Sequence, residues 1–196
     1  MTSAPRRAVV GISGASGVIY GIRLLEALRQ DTAIETHLVI SPAGRITIAQ
    51  ETAWSVGQVE ALADVAHKPE NIGASIASGS FATLGMAIVP CSIKSLSAVA
   101  HSYADDLLVR AADVTLKEGR PLVLVVRETP LHLGHLRLMV QAAELGAVIL
   151  PPMPAFYSRP QSLDDIINET VGRILLRLGI DNGLYFEWLG LRGSRE

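Results

Sequence analysis

Two serines and three glycines share a short turn near the start of the chain. The segment 11–17 reads Gly-Ile-Ser-Gly-Ala-Ser-Gly; a run of strand-forming residues precedes it, and a helical pattern begins at Val18. Glycines let a backbone approach a ligand closely, and the bare N–H groups of a helix N-terminus favour an anion. Ser13 and Ser16 add hydroxyls at the mouth of this helix. The pattern predicts a phosphate-binding turn between a first strand and a first helix, with a plain Gly/Ser connector as the alternative.

Two related nucleotide motifs are excluded by the same turn. A Walker loop closes with Gly-Lys-Ser/Thr, and segment 11–17 has no lysine. A dinucleotide fingerprint needs a different glycine spacing and an acidic residue after the second strand, whereas the strand at 36–40 is followed by Ser41. A serine binds a phosphate or a ribityl hydroxyl better than a ribose diol. The sequence therefore favours a mononucleotide such as FMN over NAD.

A second hydroxyl-rich turn follows another strand. Residues 85–91 form a continuous apolar run of the kind that is buried on both faces of a parallel sheet. The run leads into Ser92-Ile-Lys-Ser-Leu96, which opens a helix. Two such turns at two strand ends form a clamp for a flavin and its phosphate. Cys91 is interpreted as a small buried hydrophobic residue.

Charged and phenolic side chains also follow strands. Glu51 ends a helix that comes just after the second strand, and Arg127 and Glu128 follow the apolar strand at 121–126 directly. Tyr157 lies in a proline-rich loop after the strand at 147–150. Carboxyl ends of parallel strands are where such sheets bind ligands. These residues are therefore candidates for the site, and an ordinary solvated glutamate is the alternative for Glu51.

Three cations lie within the helical patterns. Arg110 and Lys117 are seven residues apart and share a helix face, with Asp113 between them and within ion-pair reach of both. A solvent-exposed ion-pair ladder is the alternative to a ligand site here. Arg173 aligns with Ile166 at the border of an apolar helix face, so it requires an anionic partner, either a carboxylate or a substrate phosphate. His132 and His135 lack a third metal ligand and are interpreted as capping or surface residues.

The alternation of apolar strands with amphipathic helices predicts an α/β protein. We expect a three-layer, flavodoxin/Rossmann-like parallel sheet with helices on both faces, in a single domain spanning residues 1–196. Five strands are assigned, and the stretch 56–66 is too weak to assign. The helix after Ser162 begins with a capping box and stops at Gly179.

Composition limits the class of partner. The 196 residues carry a net charge of −2, so no basic surface is available for nucleic acid. Hydrophobic residues make up 49% and charged residues 18%, below the usual charged share of about 25%. That balance predicts a homo-oligomer, and the aromatic tail 180–196 is expected to dock on a neighbouring subunit. The sequence has one cysteine, no apolar run of membrane-spanning length and no signal-peptide core. We therefore expect a cytoplasmic protein without membrane contact.

Taken together, these motifs resemble the UbiX flavin prenyltransferase family, formerly described as aromatic-acid decarboxylase subunits. The resemblance runs through almost the whole chain. The matching residues are Gly11-Ile-Ser-Gly-Ala-Ser-Gly17, Ser41, Glu51, Ala77-Ser-Gly-Ser80, Pro90-Cys-Ser-Ile-Lys-Ser-Leu96, Arg110-Ala-Ala-Asp-Val-Thr-Leu-Lys117, Arg120-Pro-Leu-Val-Leu, Arg127-Glu-Thr-Pro130, Phe156-Tyr157, Arg159-Pro-Gln-Ser162 and Arg173.

The resemblance implies an activity and a set of roles. Such an enzyme would join a dimethylallyl group from dimethylallyl phosphate to N5 and C6 of reduced FMN without a metal. The resemblance further implies a dodecamer that makes prenylated FMN for a separate decarboxylase. Residues implied to hold FMN are Gly14, Ala15, Ser16, Ser41, Ser92, Ile93, Lys94, Ser95 and Arg127. Residues implied to bind the allyl phosphate are Arg110, Lys117, Tyr157 and Arg173. Residues implied to act in catalysis are Ser16, Glu51, Lys117 and Glu128.

One departure and two alternatives accompany the resemblance. Some members have a tryptophan in the loop before Ala-Ser-Gly-Ser, where this chain has Ile72, so that aromatic support for a carbocation is missing. A flavin-dependent cysteine decarboxylase would need a histidine base at the flavin, but the best positions hold Ser, Glu and Arg. A non-catalytic flavin carrier subunit of a decarboxylase would make Glu51, Lys117 and Arg173 unnecessary.

Overall fold

A sheet of six parallel strands forms the centre of the structure, a computed structural model that describes residues 6–190. The strands are β1 (Arg6–Ile12), β2 (Ile34–Ile40), β3 (Val65–His67), β4 (Gly85–Cys91), β5 (Leu122–Val126) and β6 (Val148–Ile149). Their order across the sheet is β3-β2-β1-β4-β5-β6, and every neighbouring pair is parallel. This is the order of a doubly wound Rossmann sheet. The predicted fold class is confirmed.

Helices cover both faces of the sheet. Within residues 6–190 they are α1 (Val18–Arg29), α2 (Pro42–Glu51), α3 (Val56–Glu60), α4 (Ile93–Ala100), α5 (Leu107–Lys117), α6 (Leu133–Glu144) and α7 (Leu163–Arg177). On β1, Ala8, Val10 and Ile12 pack into a core with α1 and α7. Val9 packs into a second core with α4, α5 and α6. Because successive strand side chains point to opposite faces, this division produces three layers.

The chain reverses its direction of travel across the sheet between β1 and β4. It builds outward from β1 through β2 to β3, and then outward from β4 through β5 to β6. The segments that leave β1 and β4 therefore diverge, and a crevice opens at the carboxyl ends of these two strands. The turn at 11–17 and the turn at 92–96 both lie at this crevice.

The strand missing from the sequence assignment is β3, at the edge of the sheet. It begins at the end of the unassigned stretch and pairs with β2, where His37 is opposite Val65. Three residues are too few to display a period-two pattern, so hydrophobic alternation could not reveal it. No helix within residues 6–190 combines the length and the apolar character needed to cross a bilayer.

The segment after α7 turns back along that helix. Gly179, with a φ of +69°, ends α7 as predicted. The amide of Asn182 donates to the Gly172 carbonyl at 3.1 Å, and the Phe186 N–H donates to the carboxylate of Glu169 at 2.7 Å. The described part of the tail thus packs on its own chain. Its docking on a neighbouring subunit stays a prediction, and residues 1–5 and 191–196 of the predicted domain and tail lie outside the described residues.

Candidate active site

A cleft of about 430 Å³ occupies the crevice at the carboxyl ends of β1 and β4. It brings together several of the residues predicted to hold a flavin, together with Glu128. The lining residues are Gly14, Ser41, Pro42, Ala43, Ser92, Ile93, Lys94, Ser95, Ala98, Asp105, Asp106, Val109 and Glu128. The turns after β1, β2, β4 and β5 therefore converge on one site.

Ser13 ties the two hydroxyl-rich turns together. Its hydroxyl donates to the Pro90 carbonyl at 2.9 Å and accepts from the Ser92 N–H at 2.8 Å. The side chain is buried, with 1% of its surface exposed. The sequence puts this hydroxyl at the mouth of α1, but both of its hydrogen bonds are used inside the protein. Ser13 holds the site in shape instead.

Gly14 allows the first turn to contact α2. A Cβ placed on Gly14 would lie 2.3 Å from the Cβ of Ala43. In the same corner, a Cβ on Gly44 would lie 2.6 Å from the carbonyl oxygen of Ile12. No side chain fits at either position without displacing backbone, so these glycines set the width of the cleft.

Three helices begin at the cleft with side-chain caps. Ser41 caps α2 by accepting from Gly44 N–H at 3.1 Å, and Ser92 caps α4 by accepting from Ser95 N–H at 3.3 Å. The carboxylate of Asp106 caps α5. The positive ends of these helix dipoles therefore point at one space, and their remaining N–H groups favour an anion such as a phosphate.

Glu51 supplies the cap that α1 lacks. The N-cap residue of α1 is Gly17, which has a φ of +96° and no side chain. The carboxylate of Glu51 accepts from the Gly17 N–H at 2.8 Å and lies 3.4 Å from the Val18 N. Glu51 is exposed, but it is not simply solvated: its carboxylate is fixed beside the turn that carries Ser16.

Two charged residues leave β5 at the same edge. The Arg127 N–H donates to the Cys91 carbonyl at 3.1 Å, and the next residue, Glu128, lines the cleft. Cys91 itself is fully buried, and burial raises the pKa of its thiol to about 12. The interpretation of Cys91 as a small hydrophobic residue is therefore supported, since a thiol held neutral in this way is a poor nucleophile.

Neither cation of α5 is among the residues that line the cleft. Helix α5 starts at the cleft at Asp106 and ends at Lys117, a distance of about 16 Å along the axis. Arg110 pairs with Asp113 at 2.8 Å, whereas the Lys117 ammonium pairs with Glu118. The expectation that Asp113 reaches both cations is thus wrong. Lys117 lies beside the loop at Gly79, toward the amino-terminal ends of the strands.

Tyr157 and Arg173 also lie outside the cleft. Tyr157 is about half exposed and contacts two tail aromatics, with ring centroids 6.1 Å from Phe186 and 5.7 Å from Trp188. Arg173 is exposed on α7, and none of the ion pairs found within residues 6–190 includes it. One chain therefore lines the cleft with six of the nine predicted FMN residues and with none of the four predicted phosphate residues. The FMN candidates that do not line it are Ala15, Ser16 and Arg127.

The interpretation of His132 as a capping residue agrees with the structure. The ring of His132 accepts from the Gly134 N–H at 3.0 Å and caps α6. Within the described part of the chain, no group of three or more His, Cys, Asp or Glu residues is placed to hold a metal ion.

Several lining residues carry no signal of their own in the sequence. Asp105, Ala98 and Val109 line the cleft because α4 and α5 meet over it. The Asp105-Asp106 pair before an apolar helix is a capping signal, and it could have located the start of α5 at the site. Ala98 and Val109 look like ordinary helix residues, so only the packing of the helices reveals them.

Comparison with known proteins places this geometry in a family. The family model described as "Flavoprotein" matches residues 2–175. The flavin prenyltransferase UbiX of Escherichia coli K12 is 65% identical over 187 residues, which cover 94% of this chain and 99% of that protein.

Two solved structures are similar along nearly their whole length. A crystal structure of AnUbiX in complex with FMN and dimethylallyl pyrophosphate superposes with a TM-score of 0.92 at 47% identity, covering 95% of this chain and 99% of that one. A dodecameric FMN-dependent UbiX-like decarboxylase from Escherichia coli O157:H7 gives a TM-score of 0.91 at 47% identity, covering 94% and 100%. On sequence and fold together, the chain belongs to the UbiX flavin prenyltransferase family of flavoproteins.

Proposed function

We propose that this chain is a flavin prenyltransferase, which joins the dimethylallyl group of a dimethylallyl phosphate to N5 and C6 of reduced FMN. The product, prenylated FMN, serves a partner decarboxylase. The observation that carries the proposal is the cleft at the β1/β4 crevice, lined by helix N-termini and hydroxyls, in a chain 65% identical to a flavin prenyltransferase.

The cleft suits a flavin mononucleotide. Its volume of about 430 Å³ and its three capped helix N-termini match a ligand with one phosphate and a polar ribityl chain. The residues that would hold FMN lie in the turns after β1, β2, β4 and β5. They are Gly14, Ala15, Ser16, Ser41, Ser92, Ile93, Lys94, Ser95 and Arg127.

The rim of the cleft carries the groups that would move protons. When bound, the reduced flavin supplies the two nucleophilic positions, N5 and C6. Glu51, fixed by the Gly17 N–H at 2.8 Å, stands beside Ser16 and can accept a proton through that hydroxyl. Glu128, which lines the cleft, offers a second carboxylate near the departing phosphate.

Breaking an allylic C–O bond without a metal requires positive charge on the leaving phosphate. Arg110, Lys117 and Arg173 supply that charge in this proposal, and the Tyr157 hydroxyl adds a hydrogen bond. Since none of these residues lines the cleft of its own chain, we place them at the cleft of another copy in a homo-oligomer. The similar Escherichia coli O157:H7 structure is described as dodecameric, and we propose the same assembly here.

An exposed apolar stripe supports such an assembly. On α6, Leu133, Leu136 and Val140 follow the helical spacing of one face and keep about half of their surface exposed. A single subunit leaves this face without cover, which favours a contact between subunits. The cytoplasmic location expected from the sequence stays a prediction.

Anaerobic incubation with reduced FMN and dimethylallyl phosphate, followed by mass spectrometry of the released flavin, tests the activity. We expect a mass gain of one prenyl unit. Bound FMN that never gains this mass would overturn the proposal. A cysteine decarboxylase would need a histidine at the flavin, and none of the cleft-lining residues among 6–190 is a histidine. A non-catalytic carrier would bind FMN without any mass gain.

A further inference from the structure

Two histidines and a glutamate outside the cleft form a hydrogen-bonded row across β2 and β3. Glu35 Oε1 lies 2.9 Å from Nε2 of His37, and Nδ1 of His37 lies 2.9 Å from Nε2 of His67. His37 is 2% exposed. Glu35 and His37 are two residues apart on β2, and His67 is opposite Val39, so all three side chains share one face of the sheet. We call Glu35, His37 and His67 the histidine row.

The row has one consistent arrangement of protons when both rings are neutral. His37 donates from Nε2 to the Glu35 carboxylate, and its Nδ1 then accepts from Nε2–H of His67. One added proton can be accommodated, because an imidazolium on either ring still shares a single hydrogen with its neighbour. A second added proton puts hydrogen on both facing nitrogens, which breaks the bond between the rings and makes the two cations repel.

The row is connected to a loop through Phe81. The rings of Phe81 and His37 meet in a T-shaped arrangement with centroids 5.1 Å apart. Arg7 lies over the Phe81 ring, with its guanidinium carbon 4.3 Å from the ring centroid, and also pairs with Glu35 at 3.3 Å. Phe81 therefore sits on a support made by the histidine row and Arg7.

The same loop contacts the end of α5. Arg120 donates to the carbonyls of Gly79 and Phe81 at 2.7 and 2.9 Å. A Cβ on Gly79 would lie 2.6 Å from Nζ of Lys117 and would overlap the Glu118 carboxylate. The loop 71–82 is thus held between the histidine row on one side and Lys117 on the other.

We propose that the histidine row positions the loop 71–82 and, through it, the Lys117 ammonium, and that acid releases this support when both histidines become protonated. The catalytic consequence rests on the proposed function, in which Lys117 binds the allyl phosphate. Glu35, His37 and His67 are positioning residues, because they reach the substrate only through Phe81 and the loop.

The direction of the pH effect follows from burial. Burial is the largest cause that lowers the pKa of both His37 and His67 below the ordinary value for histidine. The folded state therefore binds fewer protons than the unfolded chain, and its stability falls as pH drops below the ordinary histidine pKa of about 6.5. The charged groups that face the row are Arg7 on β1, Glu35 on β2 and Asp64 before β3. The charged groups on the other side of the loop are Lys117, Glu118 and Arg120.

Hydrogen exchange of the loop tests the support without any need for activity. After correction for intrinsic rates, wild-type peptides covering 71–82 should exchange about tenfold faster at about pH 5 than at about pH 7. His67→Gln should change less than about twofold, because its amide can donate to neutral His37 or, turned over, accept from the protonated ring. His67→Ala should exchange fast at both pH values. His135→Gln, a histidine on α6, is the matched control and should behave as wild type.

Two results would overturn the proposal: a wild-type loop with no acid transition, or an acid transition in His67→Gln as large as in wild type. If His67→Ala fails to fold, His67→Gln still decides between these outcomes.

Product formation tests the consequence separately. The KM for dimethylallyl phosphate should rise in acid about tenfold more for wild type than for His67→Gln, with FMN affinity equal in both. Comparing the two proteins removes the effect of the substrate's own phosphate ionisation. A loop transition in a protein that makes no prenylated FMN at any pH would refute the proposed function but not the role of the histidine row in positioning the loop. Product formation with a pH-insensitive loop would refute that positioning role alone.

Discussion

Two edges of the sheet are built from different kinds of contact: the edge at the carboxyl ends of the strands, where the cleft lies, and the edge at their amino ends, where α5 ends. At the cleft, short side chains and backbone groups make the structure: the buried Ser13 hydroxyl joins two turns, and Ser41 and Ser92 cap helices. At the far end of α5, long charged side chains do so, with Lys117 paired to Glu118 and Arg120 bound to the loop. The first edge is rigid because its atoms have few alternative positions. The second can shift when a rotamer or a charge changes.

This difference matches two chemical tasks. A flavin needs a pre-formed cleft, because its phosphate and ribityl chain bind groups that cost little to order in advance. A leaving phosphate needs concentrated charge, which long cations can deliver from a neighbouring surface. If the cations arrive from another copy of the chain, the enzyme completes its site only on assembly. Variants at the two edges should therefore fail in different ways.

The largest effect is expected for Glu51→Gln. The amide oxygen keeps an acceptor for the Gly17 N–H, so α1 and the cleft should stay intact, but the proton acceptor is lost. Product formation should fall by about a hundredfold or more, with FMN affinity unchanged. Rates of prenylated FMN formation and a fluorescence titration of FMN measure the two quantities. Glu144→Gln, an exposed glutamate on α6, is the matched control. A Glu51→Gln enzyme as fast as that control would remove Glu51 from the mechanism.

Lys117→Ala should fail at the other edge. Losing one charge-assisted contact with phosphate should raise the KM for the allyl phosphate about tenfold to a hundredfold, again with FMN bound normally.

Mixed oligomers test whether Glu51 and Lys117 of one site come from different copies of the chain. If Glu51 and Lys117 of different copies meet in one site, co-expressed Glu51→Gln and Lys117→Ala chains should recover about a quarter of wild-type activity. Activity no higher than that of the separate variants would show that one chain supplies both residues.

The fold and the cleft could be predicted because both follow from local order along the chain. Apolar runs mark the buried strands, and residues such as Ser41 and Ser92 follow strands directly, so the parallel sheet brings them to one edge. The three-residue β3 could not be found, since its pairing with β2 is a tertiary effect. The histidine row was missed for the same reason, because it depends on the register between β2 and β3.

Two side chains make contacts that the sequence pattern did not indicate, for identifiable physical reasons. Ser13 lies in the correct turn, but only the approach of the Pro90 carbonyl shows that its hydroxyl is used internally. Helical spacing puts Asp113 within reach of both cations, yet it cannot decide among several nearby carboxylates. Glu118 takes Lys117 because the loop at Gly79 crowds both side chains together.

Gly14→Ala should distort the rigid edge. The added methyl group would lie 2.3 Å from the Cβ of Ala43, so α2 must move away from the turn. We expect the free energy of unfolding to fall by about 2–3 kcal/mol and FMN affinity to weaken with it. Gly57→Ala on α3 is the control: nothing lies within 4 Å of its new methyl group. Because alanine is the better helix former, that variant should be stabilised by about 0.5–1 kcal/mol. Urea unfolding at one protein concentration compares them, and equal stabilities would contradict the close contact at Gly14.

Matched serine variants compare the two edges most directly. Ser13→Ala leaves the Ser92 N–H without its acceptor and removes one of two hydrogen bonds to the Pro90 carbonyl, which still accepts from the Ser13 N–H at 3.2 Å. The free energy of unfolding should therefore fall by about 1–2 kcal/mol. Ser78→Ala removes an exposed hydrogen bond to Ser80 in the loop beside α5, and should cost less than about 0.5 kcal/mol. FMN affinity should weaken only in Ser13→Ala, because Ser13, unlike Ser78, holds the start of α4 through the Ser92 N–H. Equal losses in the two variants would mean that the cleft owes its shape to helix packing rather than to the tie between its turns.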